Sequence, residues 1–352
     1  MSEWLCIDVG FTNTRIAVRR QGSFGPVMQV RTLNAWADRR LTANQRRDRW
    51  LAWLGEELQP VLASQPGIAR IGLCLPGPVG SDGVIAEANS LWGEADDPLT
   101  PGQLAERLGR PVAVLNDLVA TSICHGSDPG MAGAQTVLVL SVGSGIGMKL
   151  YDCETGRVVL GREGLNGEIG FSVVDETPDA EQTIDGSLRG TLGLYASGSG
   201  FARMLRRAAV AQPQAFGRSQ LAGNLRRDAL DIAVADRVDI NAAAIEAIGS
   251  QDDFSLQILQ RSIDYLARSL HIVILFAAPD RLALAGGFAT SIGETYRAML
   301  CAALAPRLRP LYSAQRVDAL VGLSRYEGMD NLIGLARFMD QGPPAVGGAA
   351  RG

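Results

Sequence analysis

The chain has 352 residues, enough for two domains that each bury a core, and its composition is that of an ordinary globular protein. A net charge of −4 without any basic stripe excludes an electrostatic case for nucleic-acid or membrane binding, and no apolar stretch approaches the ~20 residues needed to span a bilayer. The five cysteines are isolated, odd in number and without C-x-x-C spacing, and the amino terminus has no basic segment leading into an apolar signal core, which together predict reduced core thiols and a cytoplasmic location.

Taken in order, the run from Ile7 to Val18 predicts a strand at about 4 to 9, a tight turn holding Asp8, Gly10, Thr12 and Asn13, and a strand at about 15 to 20. A strand at about 69 to 75 follows, then a helix near 101 to 109, a strand over Val112 to Leu115 and a helix at about 117 to 125, an alternation that predicts an α/β domain. After the turn Ser127-Asp128-Pro129-Gly130, the run from Val137 to Leu150 repeats the opening design: a β-rich segment bends through Gly143, Ser144 and Gly145 and continues as a strand. Glycine lets the backbone turn and approach a ligand, so that main-chain N–H groups converge on phosphate oxygens; two such hairpins imply two facing domains with a nucleotide between them. Helices dominate after about 199, with a long amphipathic pattern from Phe254 through Ile258, Leu259, Ile263 and Leu266 to Leu270 that Pro279-Asp280 ends. A strand over Leu282 to Ala285 leads into a helix opened by Gly286-Gly287, and a last helix at about 326 to 340 precedes a tail, 342–352, with too little to bury and expected to be disordered.

Other glycine-rich phosphate motifs fit these residues poorly. A Walker loop needs Gly-Lys-Ser/Thr, but the single lysine, Lys149, sits between Met148 and Leu150. A dinucleotide fingerprint needs its glycines to open a helix, whereas Met148 to Tyr151 continues as strand. The preponderance of arginine reads as coding bias, the Arg203, Arg206 and Arg207 cluster as a solvated helix face, and His125 and His271 as structural residues. Asp117, directly after a strand and opening a helix, is by local sequence equally a helix cap or a functional carboxylate.

The ordered company of motifs is more specific than any one of them: the first hairpin, Leu75-Pro76-Gly77-Pro78-Val79, Asn89 with Trp92, Leu115-Asn116-Asp117, the second hairpin, Gly167-Glu168-Ile169-Gly170, and Ala285-Gly286-Gly287-Phe288-Ala289. From residue 4 to about 340 the chain resembles the ROK family of sugar kinases, within the hexokinase, actin and Hsp70 ATPase superfamily. The resemblance implies an α/β, two-domain actin-like ATPase (ribonuclease H-like) fold with an interdomain cleft: an N-terminal lobe of 1–117 plus about 325–341 and a C-terminal lobe of 118–324. It implies ATP-dependent phosphorylation of a sugar or cyclitol hydroxyl, with ATP and Mg as cofactors and Asp117 as the base that accepts the hydroxyl proton. In the family pattern Asp8 helps hold Mg, mostly through water, while Gly10, Thr12 and Asn13 with Gly143, Ser144 and Gly145 approach the phosphates and Gly286 and Gly287 the adenosine. Asn89, Asn116 and Glu168 resemble the hydroxyl-binding set, with Pro76 and Gly77 in a rigid turn beside it. A homodimer, a small-molecule sugar or cyclitol partner and no nucleic-acid or membrane partner are implied, and no helix-turn-helix precedes the first hairpin, which argues against the repressor branch.

Two departures bear on specificity. Phe171 replaces the usual histidine after Gly-Glu-Ile-Gly, and no Cys or His lies between Cys153 and His271, so no zinc site is expected. Gly193 stands where a glutamate commonly precedes the Tyr-Ala-Ser-Gly run. A site without these two polar groups rejects a ligand whose hydroxyls would go unmet, which points away from glucose toward a deoxy sugar, an amino sugar or a carbocyclic mimic, as in the family's C7-cyclitol and amino-sugar kinases. A catalytically weak sugar-sensing or regulatory protein is the alternative; an ATPase of the chaperone kind fits the Pro-Gly-Pro and Gly-Glu-Ile-Gly runs less well.

Overall fold

A computed structural model describes residues 3–34, 40–88, 90–161, 164–183 and 186–341; the expected disordered tail lies outside the described residues. The chain divides into two compact units, one of Met1–Pro129, Gly156–Asn166 and Met329–Gly352, the other of Gly130–Thr155 and Gly167–Gly328. Among the described residues no helix is long and apolar enough to cross a membrane.

The first unit is built on a mixed sheet ordered β3 (Ser23–Phe24), β2 (Asn13–Arg20), β1 (Glu3–Val9), β5 (Ile68–Leu75), β6 (Val112–Asn116), with β4 (Met28–Arg31) pairing β2. β1 and β5 are buried along nearly their whole length because helices cover both faces, which is why they read as continuous apolar runs and not as alternating ones. Three helices close this core: α1 (Ala43–Ser64), which buries Trp50, Leu54 and Leu58 at four-residue spacing; α2 (Pro101–Leu108); and α3 (Asp117–Gly126). The sequence assigned no element to α1. The short β9 (Arg157–Val159) also belongs to this unit, as does the last helix of the chain. That helix begins at Asp330, four residues later than expected, and packs against α3 so closely that a Cβ at Gly334 would lie within 1.7 Å of the Ala120 carbonyl oxygen.

In the second unit β10 (Arg281–Ala285) runs parallel to both β11 (Val321–Leu323) and β7 (Thr136–Val142), and β7 turns back antiparallel into β8 (Ile146–Asp152). Its helices are α4 (Gly193–Ala196), α5 (Gly198–Ala211), α6 (Pro213–Arg218), α7 (Gln220–Arg227), α8 (Arg237–Gly249), α9 (Asp253–Ala277), α10 (Gly287–Ile292), α11 (Glu294–Leu308) and α12 (Ala314–Leu320), with α13 (Asp330–Gln341) returning to the first unit. α9 carries the expected amphipathic stripe: Phe254, Ile258, Leu259, Ile263, Leu266 and Leu270 are all buried in one core. Asp252 caps it, its carboxylate accepting the Ser255 N–H at 3.0 Å.

Candidate functional site

Strand register assembles the candidate residues of the first unit. β1 and β5 are parallel with Asp8 opposite Cys74, and β5 and β6 are parallel with Leu75 opposite Asn116. The carboxyl ends of three neighbouring strands therefore bring together Asp8, the turn Pro76-Gly77-Pro78 and the pair Asn116-Asp117, at the sheet edge where open α/β folds take ligands.

Asn116 is the helix cap. Its Oδ1 accepts the N–H groups of Leu118 (3.0 Å) and Val119 (3.1 Å), and its Nδ2 donates to the Gly77 carbonyl (2.9 Å) and to Asp117 Oδ1 (3.1 Å). All four hydrogen-bonding positions of the amide are thus met within the chain. Asp117, half-buried at the first turn of α3, also receives the Leu118 N–H on Oδ1 at 2.8 Å. The capping role that local sequence allowed for Asp117 falls to its neighbour, and one oxygen of the Asp117 carboxylate is fixed by two donors at the positive end of a helix.

Asp8 is buried, and its oxygens face a specific set of partners. Oδ1 accepts Asn331 Nδ2 at 2.8 Å and the Cys74 thiol at 3.7 Å, and Oδ2 lies 3.8 Å from an Arg15 nitrogen. Burial pushes its carboxyl above the usual aspartate range, while Asn331, Arg15 and Cys74 pull it back. The Thr121 hydroxyl reaches both Asn331 Oδ1 and, at 3.1 Å, the Asp117 carbonyl, so a chain of polar contacts runs from the start of α3 through α13 to Asp8. One turn further along α3, His125 Nε2 lies 2.7 Å from Asp330 Oδ1, both groups buried. Neither Asn331 nor Thr121 carries a sequence motif; only the packing of α13 on α3 reveals them.

The first hairpin is tight and pinned. Gly10 N–H donates to the Asn13 carbonyl at 3.0 Å, the Thr12 carbonyl accepts Thr32 N–H at 3.0 Å, and the Phe11 carbonyl accepts Asn34 Nδ2 at 3.2 Å. Asn13 is exposed and Thr12 half-buried. Asn89 lies outside the described residues.

The second unit holds the other expected nucleotide residues side by side. Gly143 N–H closes the β7–β8 turn onto the Gly145 carbonyl at 2.9 Å, with Ser144 between, and the Gly143 carbonyl accepts Gly198 N–H at 2.8 Å, where α5 begins. Gly286 follows β10 at φ +89°, and a Cβ there would lie 2.5 Å from the Val142 backbone, so only glycine lets the start of α10, with Gly287 as its first residue, lie against the end of β7. Glycine turns beside helix starts suit phosphate oxygens.

Glu168 projects from a loop laid on β8. Met148 N–H donates to the Gly167 carbonyl at 2.9 Å, and Gly167 has φ +85°, with room for no side chain because a Cβ would come within 1.8 Å of the Met148 oxygen. Glu168 Oε1 lies 3.8 Å from Lys149 Nζ; burial raises the Glu168 carboxyl and the lysine lowers it. Both departures from the family pattern flank this residue. Phe171 is 57% exposed, with its N–H bonded to the Glu168 carbonyl at 3.1 Å, and a Cβ at Gly193 would lie 3.3 Å from the Gly170 oxygen.

No group of three or more His, Cys, Asp or Glu is placed to hold a metal ion among the described residues. Hydrogen bonds and ion pairs hold the segment before α4: the Tyr195 hydroxyl donates to Asp175 Oδ2 and accepts Glu181 N–H, both at 2.7 Å, and Glu181 pairs with Arg207 at 3.0 Å and Arg203 at 3.8 Å. Arg206 donates to the carbonyls of Ile232, at 3.0 Å, and Ala235. The expectation of a merely solvated arginine face is therefore corrected: the guanidinium groups fasten loops, because each presents several donors that backbone carbonyls can meet.

A sequence profile of the ROK family matches residues 4–322. The C(7)-cyclitol 7-kinase of Streptomyces hygroscopicus subsp. jinggangensis (strain 5008) is 31% identical over 299 residues, 83% of this chain and 81% of that protein. Among solved structures, a ROK family glucokinase from Streptomyces griseus in complex with glucose and AMPPNP superposes with a TM-score of 0.74 at 19% identity, covering 97% of this chain and all of that one. A ROK family transcriptional regulator, a homologue of the E. coli MLC protein, superposes with a TM-score of 0.69 at 20% identity, covering 95% of this chain and 78% of that one. Both structures share the fold described above, as the sequence led one to expect.

Proposed function

The chain belongs to the ROK family, and on that premise we propose that it transfers the γ-phosphoryl group of ATP to a hydroxyl of a sugar or, more specifically, of a C7-cyclitol. The observation that carries this reading is the Asp117 carboxylate, braced by Asn116 and its own helix start at the carboxyl edge of the sheet. In the proposed reaction an acceptor hydroxyl oxygen forms the new bond to phosphorus as the bond to the ADP oxygen breaks, ADP leaves with that electron pair, and Asp117 takes the hydroxyl proton.

Gly10, Thr12 and Asn13, with Gly143, Ser144 and Gly145, take the phosphates, and Gly286 and Gly287 the adenosine. Asp8 fits a role toward Mg through bound water: a buried carboxylate offers acceptor oxygens, and an ion that keeps several waters needs few direct ligands. When bound, Mg supplies charge neutralisation of the phosphates. Pro76, Gly77, Asn89 and Glu168 form the acceptor contacts. Asn116 joins them chiefly by fixing Gly77 and Asp117, since a direct bond to the substrate requires giving up one of the four it makes.

A cyclitol is preferred over glucose for two reasons. The relative of 31% identity is a C(7)-cyclitol 7-kinase, and Phe171 with Gly193 offers an apolar ring and a bare backbone where polar partners for hexose hydroxyls are expected. A homodimer is also proposed. Ile272, Leu275 and Phe276 form an apolar stripe on α9, Phe276 being 92% exposed, and light scattering tests it: a monomer at micromolar concentration refutes it.

The likeness to a transcriptional regulator motivates a second reading, a sensor without turnover. Incubation with Mg-ATP and a panel of C7-cyclitols, amino sugars and hexoses, with ADP release and the product followed by mass spectrometry and NMR, separates the two. Stoichiometric ADP and a phosphorylated cyclitol are expected; ligand binding by calorimetry with no ADP released by any member overturns the kinase reading.

A further inference from the structure

Of the 33 basic residues in the chain, Lys149 alone is a lysine. Arginine serves everywhere at the surface, whereas this ammonium, opposite Val139 in the β7–β8 ladder, is 2% exposed. A buried charge is costly unless a counter-charge and hydrogen bonds meet it. Its Nζ lies 3.8 Å from Oε1 of Glu168, whose side chain is 43% exposed, so the pair runs from the interior to the surface. The backbone that carries the glutamate is held on the lysine's strand: the Met148–Gly167 hydrogen bond and the close approach at position 167 fasten it, and a Cβ at Gly167 would come within 3.6 Å of Lys149 Cδ.

We propose that Lys149 is a positioning residue, which holds the Glu168 carboxylate ionised and directed outward to accept hydrogen bonds from the alcohol substrate. This deepens the kinase reading and rests on Glu168 being an acceptor contact. Lysine suits the place better than arginine because a compact ammonium on a flexible stem asks for fewer acceptors in a strand interior than a planar fork with five N–H groups. Burial alone raises the Glu168 carboxyl, and Lys149 is the charged group that lowers it. With the ammonium gone, the carboxyl rises further and less of it is ionised at a given acidic pH.

The single lysine makes the pairing directly observable. Protein labelled with ¹³C at lysine Cε gives one lysine signal, and Glu168→Gln is expected to move that signal and to make it titrate at lower pH, since the ammonium loses its counter-charge. With a C7-cyclitol as acceptor, Lys149→Met is expected to raise the acceptor KM ~10-fold with kcat within ~3-fold, and to move the acid limb of kcat/KM upward by about one pH unit. A Lys149 signal unmoved by Glu168→Gln, or an acid limb unmoved in folded Lys149→Met, overturns the proposal. If Glu168→Gln leaves the acceptor KM unchanged, it is the acceptor reading of Glu168 that fails, while the NMR shift still decides whether Lys149 and Glu168 are coupled.

Discussion

Replacing Asn331 by alanine removes the 2.8 Å bond to Asp8, which joins residues 323 positions apart in the chain. Hydrogen bonds to charged groups contribute ~1.5–3 kcal/mol, and the full range applies because Asp8 is only 6% exposed. After the change the acid keeps the Cys74 thiol at 3.7 Å, a weak donor, and Arg15 at 3.8 Å, beyond hydrogen-bond distance, and neither replaces the lost amide. The sign of the pH dependence follows from burial, which already raises the Asp8 carboxyl above its unfolded value. For an acid so shifted, the associated stability is greatest at low pH and is lost as pH rises through the folded value. Asn331→Ala raises that value further, so the stability difference is full above the folded values and shrinks as pH falls through them. Every tryptophan of the chain falls in the first unit, so urea unfolding followed by tryptophan fluorescence reads this unit across a pH series. Initial rates are expected to give a KM for Mg-ATP raised ~10-fold with the acceptor KM little changed, since the role proposed for Asp8 is on the nucleotide side. Equal destabilisation at every pH of the series, together with an unchanged KM for Mg-ATP, refutes the reasoning.

Two further changes probe the second unit. Gly286→Ala sets a methyl group 2.5 Å from the Val142 backbone at φ +89°, and a loss of at least ~1–3 kcal/mol in thermal or urea unfolding is expected, with weakened ATP binding by calorimetry; wild-type stability contradicts the packing described. Gly193→Glu combined with Phe171→His restores the polar groups of the family pattern, and because the nearest atom to a Cβ at 193 is the Gly170 oxygen, at 3.3 Å, with the next at 3.9 Å, a small shift admits the new side chain. The ratio of kcat/KM for glucose over a C7-cyclitol is expected to rise ~10-fold or more, and an unchanged ratio removes these positions from specificity.

What could be read from the sequence was local. Each hairpin declares itself through a strand, a glycine turn and a second strand, and Asp117 through its place between strand and helix, because the residues that decide these features are neighbours in the chain. The same holds for the α9 stripe from Phe254 to Leu270. α1 went unread because its first turns are a polar, arginine-rich run ahead of Trp50, and Gly55 and Pro60 interrupt the pattern through Leu54 and Leu58. Asn331 is invisible from sequence because its partner Asp8 is at the opposite end of the chain. Local sequence left Asp117 as either a helix cap or a functional carboxylate, and only hydrogen-bond geometry gives the cap to Asn116. The arginines at 203, 206 and 207 looked solvated because their loop partners, Glu181, Ile232 and Ala235, are set by tertiary packing.

The most direct test of the account is turnover by Asp117→Asn. The amide keeps the size of the side chain and an oxygen for the Leu118 N–H, but it cannot take a proton from the acceptor hydroxyl. A fall in kcat of ~10² to 10⁴, with acceptor and Mg-ATP binding retained by calorimetry, is the predicted result. Near-wild-type turnover in the folded variant contradicts it.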